Sequence, residues 1–348
     1  MSESLANDLL LRVCRREKVA RTPIWIMRQA GRYLPEYQAV REKADFMTMC
    51  RTPELAAEVT LQPVDIIGVD AAIIFSDILV VPQAMGMELN FYEGKGPVFA
   101  NPLKRQEDFH RLRPVNPEHD LKFVLEALQI VREELSNRVP LIGFAGAPWT
   151  LAAYMVEGHG SKNFTEIKRL MYEKPETLKT LLDKLAVAVA DFLNAQIKAG
   201  AQVVQLFDSW AGMLPPDAFR VFSLPYIEKV VSRVKDSGVP IIVFAKDAGH
   251  SFGQLSQIGA DVLSVSWTEE LTVAGKRVNG NVALQGNLDP TVLFAPTVVI
   301  KQEVLKVLEK AKGYDHIFNL GHGILPQTPV ENAKALVQFV KEESVRFH

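Results

Sequence analysis

Val203-Val204-Gln205-Leu206-Phe207, the strand-end triplet Asp208-Ser209-Trp210, a helical stretch Pro216–Lys235, the stop Asp236-Ser237-Gly238 and the run Pro240-Ile241-Ile242-Val243-Phe244-Ala245 follow one another within residues 203–245. Both flanking runs are β-rich and lack a clean polar alternation, which suits strands covered on both faces in a parallel sheet. The stretch between them starts at proline and stops near glycine, as helices do. Strand, helix, strand is therefore the unit.

The unit repeats outward. Toward the amino terminus lie the runs Ile24–Met27, Ala71–Phe75 and Pro140–Ala145; toward the carboxyl terminus lie Asp261–Trp267, Val282–Gln285 and His316–Leu320. Helical stretches fall between and after them at Pro53–Gln62, Asp120–Leu135, Pro175–Ala199, Thr297–Lys312 and Val330–Glu343. Eight strand runs alternating with helices predict an α/β fold, a (β/α)8 TIM barrel. No repeat, low-complexity tract or linker divides the chain, so residues 1–348 are expected to form one domain with a short helical extension over about residues 1–20. An open doubly wound sheet is the rival. It would normally show a glycine fingerprint after its first strand, where Met27-Arg28-Gln29-Ala30-Gly31 offers a single glycine.

Charge and composition exclude several partners. Lys+Arg 39 against Asp+Glu 41 leaves a net charge of -2, so no global field favours nucleic acid or an acidic membrane, and any anion preference must be local. The start, Met1 to Lys18, carries Glu3, Asp8 and Glu17 and lacks the plan of a signal peptide. No uncharged apolar run approaches the ~20 residues of a membrane span. A soluble intracellular protein is expected. The two cysteines, Cys14 and Cys50, allow neither a thiolate zinc cage nor a disulfide framework, and the seven histidines are scattered, so no bound metal is expected.

In a barrel the residues after each strand face one mouth. Arg28 and Arg32 follow the first run, Ser76 and Asp77 the second, Gly146-Ala147-Pro148-Trp149 the third with Tyr154 shortly after, Asp208-Ser209-Trp210 the fourth and Lys246-Asp247 the fifth. Asn287-Leu288-Asp289 follows the seventh and Gly321-His322-Gly323 the eighth. Guanidinium groups match carboxylates or phosphates two bonds at a time. The pair Arg28 and Arg32 is thus an anion site or an Arg-rich surface loop. Asp77 is flanked by apolar residues and either caps the next segment or serves the site. Asp208 and Ser209 could cap the next helix, though Pro215-Pro216 marks a later start. His322 is a site residue or a turn histidine. Gly94-Lys95-Gly96-Pro97 lacks the spacing of a phosphate loop and reads as a turn, whereas Gly321-His322-Gly323 keeps a sugar-phosphate enzyme open.

Four segments taken together carry a resemblance: Met27-Arg28-Gln29-Ala30-Gly31-Arg32-Tyr33-Leu34-Pro35-Glu36-Tyr37, Phe75-Ser76-Asp77-Ile78-Leu79, Leu284-Gln285-Gly286-Asn287-Leu288-Asp289-Pro290 and Asn319-Leu320-Gly321-His322-Gly323-Ile324. They resemble the uroporphyrinogen decarboxylase family, in the family's motif order, from about Asn7 to the last helix. The resemblance implies a cytoplasmic enzyme of haem and chlorophyll synthesis, usually a homodimer with facing mouths. It implies conversion of uroporphyrinogen III to coproporphyrinogen III by loss of four acetate carboxyls, with no cofactor. A protonated pyrrole ring supplies the electron sink that other decarboxylases take from a cofactor. By the same resemblance Asp77 stabilises the ring cation beside Tyr154, and Arg28 is a candidate proton donor. Arg28 and Arg32 pair with substrate carboxylates, Gln29, Ala30 and Gly31 bring backbone close to the substrate, and Ser209 and His322 contact side-chain oxygens. One departure is Ser266, where the family usually has aspartate. Corrinoid-dependent methyltransferases on the same barrel are the competing reading. They hold zinc through histidine and cysteine, and no cysteine follows Cys50 here.

Overall fold

The computed structural model describes residues 5–92 and 96–348. Its strands are β1 (Ala72–Ile73), β2 (Leu89–Tyr92), β3 (Gly96–Phe99), β4 (Leu141–Gly146), β5 (Val203–Asp208), β6 (Ile241–Ala245), β7 (Val262–Ser264), β8 (Ala283–Leu288) and β9 (His316–Leu320). β1 and β4 to β9 pair in parallel in chain order, and β2 pairs antiparallel with β3 as a separate hairpin.

The run Ile24–Met27 closes the barrel without being a regular strand. Ile24 bridges Phe318 of β9, and the Phe318 N–H donates to the Pro23 carbonyl at 2.8 Å. On the other side the Asp70 N–H donates to the Ile24 carbonyl at 2.7 Å, just before β1. Side chains take the place of the ladder. The N–H of Ile24 donates to the Asp70 carboxylate at 2.9 Å, that of Ile26 to Gln29 Oε1 at 3.1 Å, and that of Met27 to Asn319 Oδ1 at 2.9 Å. Only Trp25 donates to a neighbouring strand, its N–H reaching the Phe318 carbonyl at 3.4 Å, so the first expected strand shrinks to one bridge.

Alternate residues of the strands face two different cores. Trp25, Met27, Ile73, Ile142, Val203, Ile242, Phe244, Val262, Ala283 and Ile317 fill the barrel with Leu10, Leu11, Val13 and Cys14 of the helix Leu9–Cys14. Their neighbours, such as Ile26, Leu141, Val204, Leu206, Val243, Leu263 and Phe318, pack against the surrounding helices. Burial on both faces is what the continuous apolar runs required. Each large side chain so buried contributes about 1.5–3 kcal/mol. The Leu9–Cys14 helix plugs the end where strands begin, and Ala6 donates to the Asn137 carbonyl ahead of β4. The opposite end is left for the strand-end loops. Among the described residues no helix is long and apolar enough to cross a membrane.

Several boundaries differ from expectation. β8 runs on through Asn287 and Leu288, while β7 stops at Ser264 and leaves Ser266 and Trp267 in a loop. Asp208 ends β5 rather than following it. The stretch Pro216–Lys235 is two helices, Pro216–Phe222 and Leu224–Lys235, because Pro225 lacks the N–H that would continue the ladder. The stretch Asp120–Leu135 is the helix Lys122–Glu134, preceded by a separate short turn of helix, Pro117–Asp120. The helix from Pro53 continues to Ile66 through Pro63, since Val59, Leu61, Pro63 and Val64 are all buried on it. Of the turn expected at Gly94-Lys95-Gly96-Pro97, Gly94 and Lys95 lie outside the described residues, and Gly96 and Pro97 begin β3.

Candidate active site

The loop after the first run is shaped from beneath by Gln29. Its side chain is fully buried and its Nε2 donates to the Ala71 carbonyl at 3.0 Å, so it anchors the loop rather than facing the mouth. Above it Arg28 takes a φ of 63°, a left-handed conformation that costs a non-glycine residue roughly 1–2 kcal/mol. Gly31 fits because a β-carbon there would come within 2.9 Å of the Arg28 carbonyl oxygen. Ala30 is half-buried against the core. Arg32 is exposed, and its carbonyl accepts from Gln38 of the helix Pro35–Arg41 at 2.6 Å.

The last strand-end loop meets this one. Ile324 N–H donates to the Met27 carbonyl at 2.9 Å, and the Arg28 stem lies across Gly323, where a β-carbon would stand 2.8 Å from Arg28 Cγ. This contact sets the arginine beside His322. Burial pushes the imidazole down to about 4; Arg28 and Lys246 push the same way, and Asp247 opposes them. His322 is therefore neutral near pH 7. The unfolded chain takes up the proton first, near the usual 6.5, so acidification from there toward about 4 lowers stability. In an NMR titration of the free enzyme the His322 ring protons should stay flat between about pH 5 and 8. A midpoint near the ordinary histidine value would contradict the environment described.

Asp77 stands after β1. Its Oδ1 accepts the Leu79 N–H at 2.8 Å, so it does cap the next turn, yet burial raises its carboxyl above the usual range, with that bond and the Arg28 charge opposing. The Oγ of Ser76 beside it is buried and has no hydrogen-bond partner among the described residues. Tyr154, on the helix Pro148–Glu157, is raised by burial and further by the Asp77 charge, against Trp210 and Arg28. Its ring meets Trp210 edge-on at 6.0 Å. Ser209 sits between Trp210 and Asp208, whose buried carboxyl is pushed up to about 6 by burial despite hydrogen bonds from Ser223 and Thr150.

Arg28, Asp77, Tyr154 and His322 thus share one electrostatic neighbourhood, with Arg28 common to all. Ser209 is the chain neighbour of Trp210, whose ring meets Tyr154. Arg32 is exposed, with its charge near Tyr37, and the Gln29 side chain turns inward to the Ala71 carbonyl. Sequence reading named Lys246 and Asp247 at a strand end without giving them a part. Lys246 Nζ pairs with Asp247 Oδ2, while Asp247 Oδ1 accepts from Ser266 Oγ at 2.6 Å and Thr268 Oγ1 at 2.8 Å. Burial works against the charge on Asp247, but Lys246 and the two hydroxyls hold its carboxyl below the usual range. An aspartate at 266 would set a second carboxylate against it. Away from the mouth, a hollow lined by Glu36, Glu54, Glu58, Asp65 and Glu134 would repel an anionic ligand.

A sequence model described as uroporphyrinogen decarboxylase (URO-D) matches residues 5–343. The chain belongs to the uroporphyrinogen decarboxylase family. Relatives include the uroporphyrinogen decarboxylase of Chloroherpeton thalassium, 52% identical over 99% of both chains, and that of Geobacter metallireducens, 52% identical over 96% of this chain and 98% of the relative. Among solved structures, a methyltransferase from Methanosarcina mazei superposes with a TM-score of 0.80 at 25% identity, covering 98% of this chain and 99% of that one. A B12-independent methionine synthase from Shewanella sp. W3-18-1 gives 0.56 at 12% identity over 84% and 88%, a likeness of fold alone. Placement in the uroporphyrinogen decarboxylase family agrees with the parallel barrel.

Proposed function

We propose that the mouth binds uroporphyrinogen III and removes its four acetate carboxyls, giving coproporphyrinogen III and four CO2, with Asp77 as the charge that stabilises the reacting pyrrole. The observation that carries this reading is a carboxylate held in apolar surroundings at a strand end, accepting the Leu79 N–H and interacting with the Arg28 and Tyr154 groups. A proton adds to the ring carbon next to the one bearing the acetate. Positive charge then reaches the acetate-bearing carbon, the C–COO bond breaks, and its electron pair forms an exocyclic double bond. Protonation of that exocyclic carbon and loss of the ring proton leave a methyl group. The net change replaces carboxylate by hydrogen and consumes one proton per acetate. A fixed carboxylate near the pyrrole N–H groups lowers the cation's energy, and a dry setting strengthens it.

The remaining groups bind. Arg28 and Arg32 pair with carboxylates at the rim, Gln29, Ala30 and Gly31 shape the backbone there, and Ser209 and neutral His322 supply hydrogen bonds. Arg28 is one candidate for the proton source, although a guanidinium is a weak acid and a substrate carboxylic acid or a water serves as well. The proposal includes a cytoplasmic homodimer. Trp267 and Phe294, exposed on the loops after β7 and β8, offer apolar surface that suits it.

Arg32→Ala should raise KM roughly tenfold with kcat little changed, because a rim contact binds ground and transition states alike. Unchanged saturation behaviour would remove Arg32 from the site. The deciding assay incubates purified, metal-stripped protein anaerobically with uroporphyrinogen III and follows the seven-, six-, five- and four-carboxyl products by mass. The likeness to the Methanosarcina mazei methyltransferase supports a second reading, methyl transfer. Undiminished turnover of uroporphyrinogen after metal removal would exclude a zinc-bound thiol from the reaction.

A further inference from the structure

We propose that Asp208 is the positioning residue for the wall formed by Tyr154, Ser209 and Trp210, acting through Thr150 and Ser223. The carboxylate is fully buried and, among the described residues, forms no ion pair. Its Oδ1 accepts from Thr150 Oγ1 and its Oδ2 from Ser223 Oγ, each at 2.6 Å. An unpaired carboxylate is costly to bury, and its neighbours could be filled by an apolar side chain at lower cost. Where its bonds lead gives the reason for it.

Thr150 lies one turn before Tyr154 on the helix Pro148–Glu157, on the same face. Its Oγ1 accepts the Trp210 N–H at 3.1 Å, so its single proton is committed to Asp208. The preceding residue, Trp149, donates its indole N–H to the Trp210 carbonyl at 3.0 Å. Consecutive residues of the Tyr154 helix therefore grip both backbone groups of Trp210, and Asp208 fixes the direction of one grip. Ser223 joins the two helices that follow, and the Asp208 carbonyl accepts the Lys246 N–H at 3.1 Å. The side chain thus ties the end of β5 to the helix that presents Tyr154 and to Ser223, while the backbone carbonyl of the same residue joins β5 to β6. Asparagine can reproduce the pattern: its oxygen accepts from Thr150 and its NH2 donates to Ser223. Alanine cannot.

This inference rests on the reading that Tyr154 and Ser209 touch substrate, so the test measures both. Steady-state kinetics with uroporphyrinogen III would compare Asp208→Ala, Asp208→Asn and Thr150→Val with Tyr154→Phe and Ser209→Ala, each normalised to the folded fraction. Asp208→Ala and Thr150→Val should raise KM roughly threefold to tenfold, the worth of a neutral hydrogen bond or two, and Asp208→Asn should recover most of that loss. A merely structural role would lower the folded fraction and the apparent kcat but leave KM alone, and that result would overturn the proposal. So would an asparagine variant as impaired as alanine. If Asp208→Ala does not fold, Thr150→Val and Asp208→Asn decide in the same way. Wild-type kinetics in Tyr154→Phe and Ser209→Ala would overturn the site reading and this inference together; impairment there with a normal Thr150→Val would overturn the inference alone.

Discussion

Asp77→Asn should bind uroporphyrinogen with little change and lose turnover roughly a hundredfold to a thousandfold, as expected for removal of one preorganised charge from a dry site. The oxygen of asparagine can keep the bond from the Leu79 N–H, so the loop should hold its shape. Stability should move the other way. A carboxyl raised in the folded state contributes stability below its unfolded value and loses it as pH rises through the folded value. In the pH range where it is ionised, Asp77 is therefore a burden on the fold, and there a neutral isostere should leave the melting temperature equal or higher. Activity falling while melting rises identifies a residue retained for chemistry. Near wild-type turnover, or a loss of activity that tracks a loss of folded protein, would sink the assigned role.

The same carboxyl shows why the site was half legible in the chain. An aspartate amid Phe75, Ile78 and Leu79 announces a burial problem, and its position after an apolar run places it at a mouth. Whether it capped a turn or faced a ligand stayed open because the two readings use different lone pairs, and the structure has it capping Leu79 beside the mouth. The barrel was legible because both faces of each strand are covered. The first strand was not, because Asp70, Gln29 and Asn319 replace its ladder from 46, 3 and 292 residues away. For Gln29 the resemblance implied a backbone part, and the partner of its side chain, the Ala71 carbonyl, lies 42 residues along the chain. The Asp208 and Asp247 networks depend on hydroxyls from Thr150, Ser223, Ser266 and Thr268, and a hydroxyl in a sequence carries no sign of its partner.

Gly323→Ala carries the second large effect, because it tests whether the arginine loop is positioned or merely present. The new β-carbon would overlap Arg28 Cδ and crowd Cγ at 2.8 Å. Two responses are open: the guanidinium swings out of the mouth, or the two loops part and break the bond from Ile324 N–H to the Met27 carbonyl. Either moves Arg28 without removing its charge. A hydrogen bond to a charged group contributes about 1.5–3 kcal/mol, so kcat/KM should fall roughly tenfold to a hundredfold, close to the effect of Arg28→Ala itself. The double variant decides the mechanism. With Arg28 already alanine there is no stem for the methyl group to strike, so Gly323→Ala should add little, and the two losses should be strongly non-additive. An undiminished penalty in the Arg28→Ala background would mean that the glycine serves His322 or the loop backbone instead. The expected outcome would place the specificity of this mouth in a contact between the first and last loops of the barrel, where a strained arginine backbone is held against a residue that has no side chain to offer.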